Sequence, residues 1–204
     1  MNRLGLTTLA VIAAIASPAV AQTPQDAPPP AQRRMIDYLV NAPHVQNWMT
    51  WGVTPAPTPQ AAEGVTGGQA VRVAVARGGD PWSVGAIMTN PAAITTGDVI
   101  LVAVWIRRSD SNAATSPTSL PLLMVESQTE PKTVIARSAD VPLSDSWTLV
   151  YASGTAAADY APGQTAIILH LGREAQTLEL GPALLFDMGP DYDPARLPTN
   201  PTGS

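Results

Sequence analysis

Trp105 and Arg107 are separated by one residue, Ile106. On an extended strand, positions i and i+2 share a face, so the two side chains stand side by side, a flat apolar plate next to a rigid planar donor fork. Trp82, Glu126 and His170 are further candidates of this kind on other alternating segments. Together these groups suit a ring whose C–H face stacks on an indole and whose rim of hydroxyls takes planar hydrogen-bonding partners. A pyranose sugar is built this way. The aromatic content leans the same way, with 5 Trp against 4 Tyr and 1 Phe.

Other chemistries have less material. There is no Gly-x-Ser-x-Gly elbow, no phosphate-cradling glycine loop and no paired-histidine metal motif, and the chain has only His44 and His170 and 0 Cys. A two-carboxylate glycan-cleaving site drawn from Glu126, Glu130, Glu174 and Glu179 stays open, because acids on different strands can approach to the roughly 5–9.5 Å that glycoside hydrolysis uses. Asp187, Asp191 and Asp193 fall close together, but Asp and Pro on both sides of Tyr192 read as a rigid exit turn with the tyrosine folded back on the sandwich edge. The formal net charge of −5 repels phosphate backbones and speaks against nucleic acid as a partner.

The candidate side chains need strands to hold them. With 21 Pro and 15 Gly in 204 residues, long helices have little room, while 45% hydrophobic residues exclude wholesale disorder. Period-2 alternation recurs at residues 69–77, 82–89, 98–107, 122–128, 133–138, 147–153, 165–171 and 183–188. Eight such strands joined by Gly, Pro, Asp and Ser turns predict an all-β, two-sheet antiparallel sandwich of jelly-roll type. In residues 99–107, Ile100, Val102, Val104 and Ile106 form the core face, and Trp105 and Arg107 point outward with Leu101 and Ala103. The same logic buries Val71, Val73 and Val75 and turns Arg72 outward; it buries Ile167, Leu169 and Leu171 and turns His170 outward. If these outer faces belong to one sheet, they make a shallow groove carrying Trp105, Arg107 and His170, with Trp82 and Glu126 as additions. Trp48 and Trp51 read as caps on a sandwich end, and Trp147 as a core or edge anchor.

The ends and linkers divide the chain further. Arg3, the uncharged apolar run that follows it and Ala19-Val20-Ala21 predict a secretory signal over residues 1–21, hence export to the periplasm or the outside. Past the signal, no segment is predicted to cross a membrane. Residues 22–34 form a Pro-rich leader, 35–195 the sandwich and 196–204 a tail. Residues 35–40 fit a short helical turn or an edge strand. Pro55, Pro57 and Pro59 mark an extended connector, and residues 109–121 an exposed loop.

The order of segments resembles the family 4/9/22 carbohydrate-binding modules, jelly rolls related to galactose-binding-like domains. The similarity covers roughly residues 41–194. It is carried by the glycine-led strand at Gly67-Gly68-Gln69-Ala70-Val71-Arg72-Val73, the aromatic start at Pro81-Trp82-Ser83-Val84, and the turn and strand from Thr96-Gly97-Asp98-Val99 to Trp105-Ile106-Arg107. Ser146-Trp147-Thr148-Leu149-Val150 and Ala183-Leu184-Leu185-Phe186-Asp187 are similar to the last strands. The resemblance implies a non-catalytic module for xylan- or glucan-type polysaccharides, with ligand roles carried onto Trp82, Trp105 and Arg107. It also implies a structural calcium at Asp187; residues 41–51 hold no carboxylate, so such a site would draw on backbone or amide oxygens there.

The expected partner is an oligosaccharide or polysaccharide, with a separately encoded glycan-active enzyme as a companion. The alternatives are a small glycan-active enzyme and an envelope sandwich that binds another protein.

Overall fold

The structure is a computed structural model that describes residues 33–109 and 119–200. The expected signal over residues 1–21, most of the leader, residues 110–118 of the expected loop and the end of the tail lie outside the described residues. From Arg33 onward the chain forms a single unit.

Ten antiparallel strands follow one another: β1 (Met49–Trp51), β2 (Pro59–Ala61), β3 (Gln69–Val75), β4 (Gly85–Asn90), β5 (Val99–Arg108), β6 (Ser119–Ser127), β7 (Val134–Pro142), β8 (Thr148–Thr155), β9 (Thr165–His170) and β10 (Gln176–Asp187). They hydrogen-bond in the order β1-β4-β9-β6-β7-β8-β5-β10-β3-β2. The register between β7 and β8 is a single residue pair, Arg137 with Ser153. The sheet turns there, giving a first half (β1, β4, β9, β6, β7) and a second half (β8, β5, β10, β3, β2) that pack across one core. This is the expected all-β sandwich of jelly-roll type.

The period-2 pattern explains the core. Ile100, Val102, Val104 and Ile106 of β5 are fully buried, and they share one cluster with Val71, Val73 and Val75 from β3 and Ile167 and Leu169 from β9. Removing each large side chain from water contributes roughly 1.5–3 kcal/mol before the entropy of ordering is counted.

Two short strands escape the sequence pattern. β1 is three residues long and pairs only with β4, while β2 begins at Pro59 and pairs only with β3. Proline is tolerated in β2 because it stands first in an edge strand, where one missing N–H breaks no central ladder. The expected connector is therefore partly strand. The expected loop also ends early, since Ser119, Leu120 and Pro121 open β6. Residues 35–40 combine the two forms that their pattern allows: Met35–Tyr38 is a 3-10 turn, and Leu39 bridges to Phe186.

Candidate functional site

The two halves differ on their outer faces. Over β5, β8 and β10 the segments flanking the strands form a roof: Tyr38, Leu39, Tyr192 and Leu197 pack on Val99, Leu101, Ala103 and Phe186. Tyr38 and Tyr192 meet edge to face at 6.3 Å, and Asp193 caps the 3-10 turn Pro194–Arg196, as a rigid exit turn with the tyrosine folded back requires. On the outer face of the first half, Trp51, Ile87, Leu122, Met124, Ala166 and Ile168 form a separate apolar patch that draws on these strands alone.

Strand register sets this patch out in rows. Trp51, Gly85, His170 and Leu122 are successive partners across β1, β4, β9 and β6. The next row runs Met49, Ile87, Ile168, Met124 and Arg137, and the third carries Thr89, Ala166, Glu126 and Val134. Beside β1, a cleft of about 550 Å³ lined by Asn41, Gln46, Asn47, Met49 and Thr89 extends the face past the sheet edge.

Trp51 is fixed by its neighbours. Its indole N–H donates to the carbonyl of Trp82 at 2.8 Å, and its ring meets the His170 ring edge-on at 6.2 Å. The ring also occupies the space above Gly85: a methyl there would come within 2.1 Å of the indole and 2.4 Å of the Leu169 carbonyl. The close approach therefore requires glycine. Gly52, at φ +74 directly after β1, supplies the other backbone condition, because a side chain there would strike the Ser83 carbonyl.

The expected site residues are divided between the halves. Glu126 and His170 lie on the open face, on β6 and β9. Trp82 sits in the 3-10 turn Pro81–Ser83 just before β4, with 60% of its surface exposed and its carbonyl holding Trp51. Trp105 and Arg107 lie on β5, in the other half, so the expected single groove through all five does not form. The reason is topological: β5 pairs with β8 and β10, while β9 pairs with β4 and β6. Trp105 is half-buried, with its Cβ and carbonyl against Gly181. Arg107 is engaged by Glu179, its Nε and Nη2 both 2.6 Å from Oε2, and its guanidinium lies 4.7 Å from the centre of the Trp147 ring. Trp147 in turn donates to the Glu63 carbonyl, as an edge anchor would.

Trp51 and Arg137 belong to the open face, although the sequence pattern alone reads Trp51 as a cap and gives Arg137 no distinction. Trp48, by contrast, is buried and donates to the Gly181 carbonyl, which fits a cap. Of the four candidate acids, Glu126 faces Lys132 at 3.9 Å on the first half and Glu179 is buried on the second, so these two do not flank one bond.

His170 is held below the usual histidine range, first by burial and then by the Arg137 charge. A neutral imidazole offers one donor and one acceptor, the pairing a hydroxyl needs. Because the folded pKa is depressed, the unfolded chain takes up more protons, and stability is lost as pH falls from about 6.5 through the folded value. The expected result is that His170→Gln flattens the acid side of a Tm-against-pH profile and that the His170 resonance of Arg137→Ala titrates at higher pH than in the wild type. An unchanged titration in that variant would refute the electrostatic influence of Arg137 on His170.

The donor set for a structural calcium does not fit. Asp187 takes a hydrogen bond from the Gly189 N–H, while burial and the adjacent Asp98 raise its pKa. The side chain of Asn41, from the N-terminal segment, is occupied at both atoms, accepting from Leu185 N–H and donating to the Ala183 carbonyl. Among the described residues no three His, Cys, Asp or Glu side chains gather to begin the shell of roughly six to eight oxygens that calcium takes.

No protein-family model matches the chain, and no curated protein matches its sequence. Solved structures do match. The structure described as "CBM4 structure and function" aligns at TM-score 0.51 and 18% identity, over 69% of this chain and 94% of that one. The fold is that of the family 4 and 22 carbohydrate-binding modules. A second match is the second N-terminal cellulose-binding domain of β-1,4-glucanase C from Cellulomonas fimi, at TM-score 0.52 and 16% identity over 75% of this chain and 93% of that one. The CBM22-1 xylan-binding domain of Xyn10C from Paenibacillus barcinonensis matches at TM-score 0.50 and 12% identity, over 74% and 92%. At these identities the likeness concerns the fold, and ligand choice rests on this chain's own side chains.

Proposed function

We propose that the protein is a non-catalytic carbohydrate-binding module that takes an oligosaccharide or polysaccharide of xylan or glucan type on the open face of its first half. The observation that carries this reading is the Trp51 ring, laid over Gly85 and set against His170 at the head of an apolar floor. One sugar ring stacks on the indole, its neighbours lie along the half-buried Ile87 and Leu122, and His170, Glu126 and Thr89 meet the hydroxyls. Trp82 extends the stacking surface at the rim. Water competes for every hydroxyl, so affinity accumulates from several weak contacts along a chain of sugars.

The likeness in fold to cellulose- and xylan-binding domains supports the ligand class. The signal-like start of the sequence supports action after export, in the periplasm or outside, alongside a separately encoded glycan-active enzyme.

The test is affinity electrophoresis through gels containing xylan, mixed-linkage glucan, hydroxyethylcellulose or an unrelated polymer such as dextran. Retardation by a β-linked polymer, with a change in Trp fluorescence on titration of its soluble oligosaccharides, is the expected result. Mobility unaffected by every polymer would overturn the reading, and release of reducing ends during the assay would replace it with an enzymatic one.

A further inference from the structure

Resting on the proposed glycan-binding face, the geometry points to a carboxylate-bearing glycan as its preferred ligand, with Arg137 as the residue that receives the carboxylate. Arg137 stands on the open face of β7, opposite Met124 in the register, and is exposed to solvent. The acids near it are matched: Glu126 faces Lys132 at 3.9 Å, and Asp140 pairs with Arg173. Arg137 itself has no ion pair among the described residues. Burial and then the Arg137 charge lower the pKa of His170, which favours a neutral imidazole beside the guanidinium. A protein with net charge −5 thus presents an uncompensated guanidinium beside its apolar platform.

The chemistry of that group selects the ligand. A guanidinium offers a planar fork that matches a carboxylate with two parallel hydrogen bonds, stronger than those to a neutral hydroxyl. Spacing then selects its size. The Trp51 ring lies over β4, and Arg137 is on β7, three strands away, or about 14 Å across the sheet. One sugar ring cannot both stack on the indole and present its own carboxylate to Arg137. The ligand is an oligosaccharide or polysaccharide with a uronic acid set apart from the stacked ring.

The experiment compares glucuronoxylan with the same polymer after its uronic carboxyls have been reduced to alcohols, by calorimetry with wild type, Arg137→Ala, Arg137→Lys and Trp51→Ala. Arg137 is exposed, so its truncation leaves no cavity, and matching melting curves verify the fold of each arginine variant. The wild type should bind the acidic polymer about tenfold more tightly than the reduced one, and the gap should narrow at high salt. Arg137→Ala should lower acidic-polymer affinity to the level of the reduced polymer and leave the latter unchanged; Arg137→Lys should fall between. Equal wild-type affinity for both polymers, or an Arg137→Ala loss of equal size on both, overturns the inference and leaves the glycan-binding face standing as long as Trp51→Ala still weakens binding. Failure of the wild type to bind either polymer overturns the inference, and the glycan-binding reading falls with it when the glucan gels also leave mobility unaffected.

Discussion

Trp51→Ala should weaken binding of soluble xylan or glucan oligosaccharides at least about tenfold and remove most of the ligand-induced change in Trp fluorescence. Covering one indole face of roughly 100 Å² at about 25 cal/mol per Å² is worth about 2.5 kcal/mol. Part of that is offset by ordering the sugar, so a loss of about tenfold is the conservative end. The ring is held in place before ligand arrives, by its N–H on the Trp82 carbonyl and by His170, so little additional ordering accompanies binding. The variant also gives up an apolar contact on Gly85, and a fall of a few degrees in Tm accompanies the loss of affinity. Trp105→Ala is the control. Trp105 lies on β5, in the other half of the sandwich, and its removal should leave affinity close to wild type. Calorimetry on the two variants decides the matter: normal binding by Trp51→Ala would dismiss the open face as the site.

The contrast between these two tryptophans shows what local pattern can and cannot carry. Alternation along β5 correctly separates Trp105 and Arg107 from the core residues Val104 and Ile106, because the face of a strand residue follows from parity alone. Parity says nothing about which strand lies alongside. The pairing of β9 with β4 and β6, and of β5 with β8 and β10, depends on contacts far apart in the chain, and it decides that His170 and Arg107 occupy different halves. Trp51 is missed for a different reason. Its strand is three residues long and runs into Gly52 and a Pro-rich segment, too short for any period to register. One signal was available: Leu122 and Met124 on β6, and Ala166 and Ile168 on β9, are apolar on the side opposite the core, which marks an outer face that is not simply solvated.

The same outward apolar residues on β5 have another meaning. Leu101 and Ala103 are as buried as the core, because Tyr38, Leu39, Tyr192 and Leu197 from the segments flanking the sandwich lie across them. A jelly roll has two outer faces, and here those segments cover the Val99, Leu101 and Ala103 end of one of them. The outer face of the first half carries no such roof among the described residues: its cluster draws on its own strands, with Met124, Ala166 and Ile168 buried beneath the half-buried Trp51, Ile87 and Leu122, and it holds the braced indole.

Arg107→Ala should lower stability by about 3 kcal/mol and Tm by about 10 °C, while glycan affinity stays near the wild-type value. Glu179 is only 7% exposed, and Arg107 donates to its carboxylate through both Nε and Nη2; the Ser109 hydroxyl adds a further contact at 3.0 Å. Removing the guanidinium leaves a buried anion beside that hydroxyl, with Arg72 as its register partner on β3. Trp147 simultaneously loses the cation stacked on its ring. The companion variant Glu179→Gln removes the stranded charge, and the double variant should lose less than the sum of the two single losses, since each single change breaks the same pair. Thermal melts and calorimetry on the three variants separate a structural pair from a ligand contact. An Arg107→Ala protein that melts like wild type yet no longer binds xylan or glucan would return Arg107 to the binding site and move that site to the second half of the sandwich.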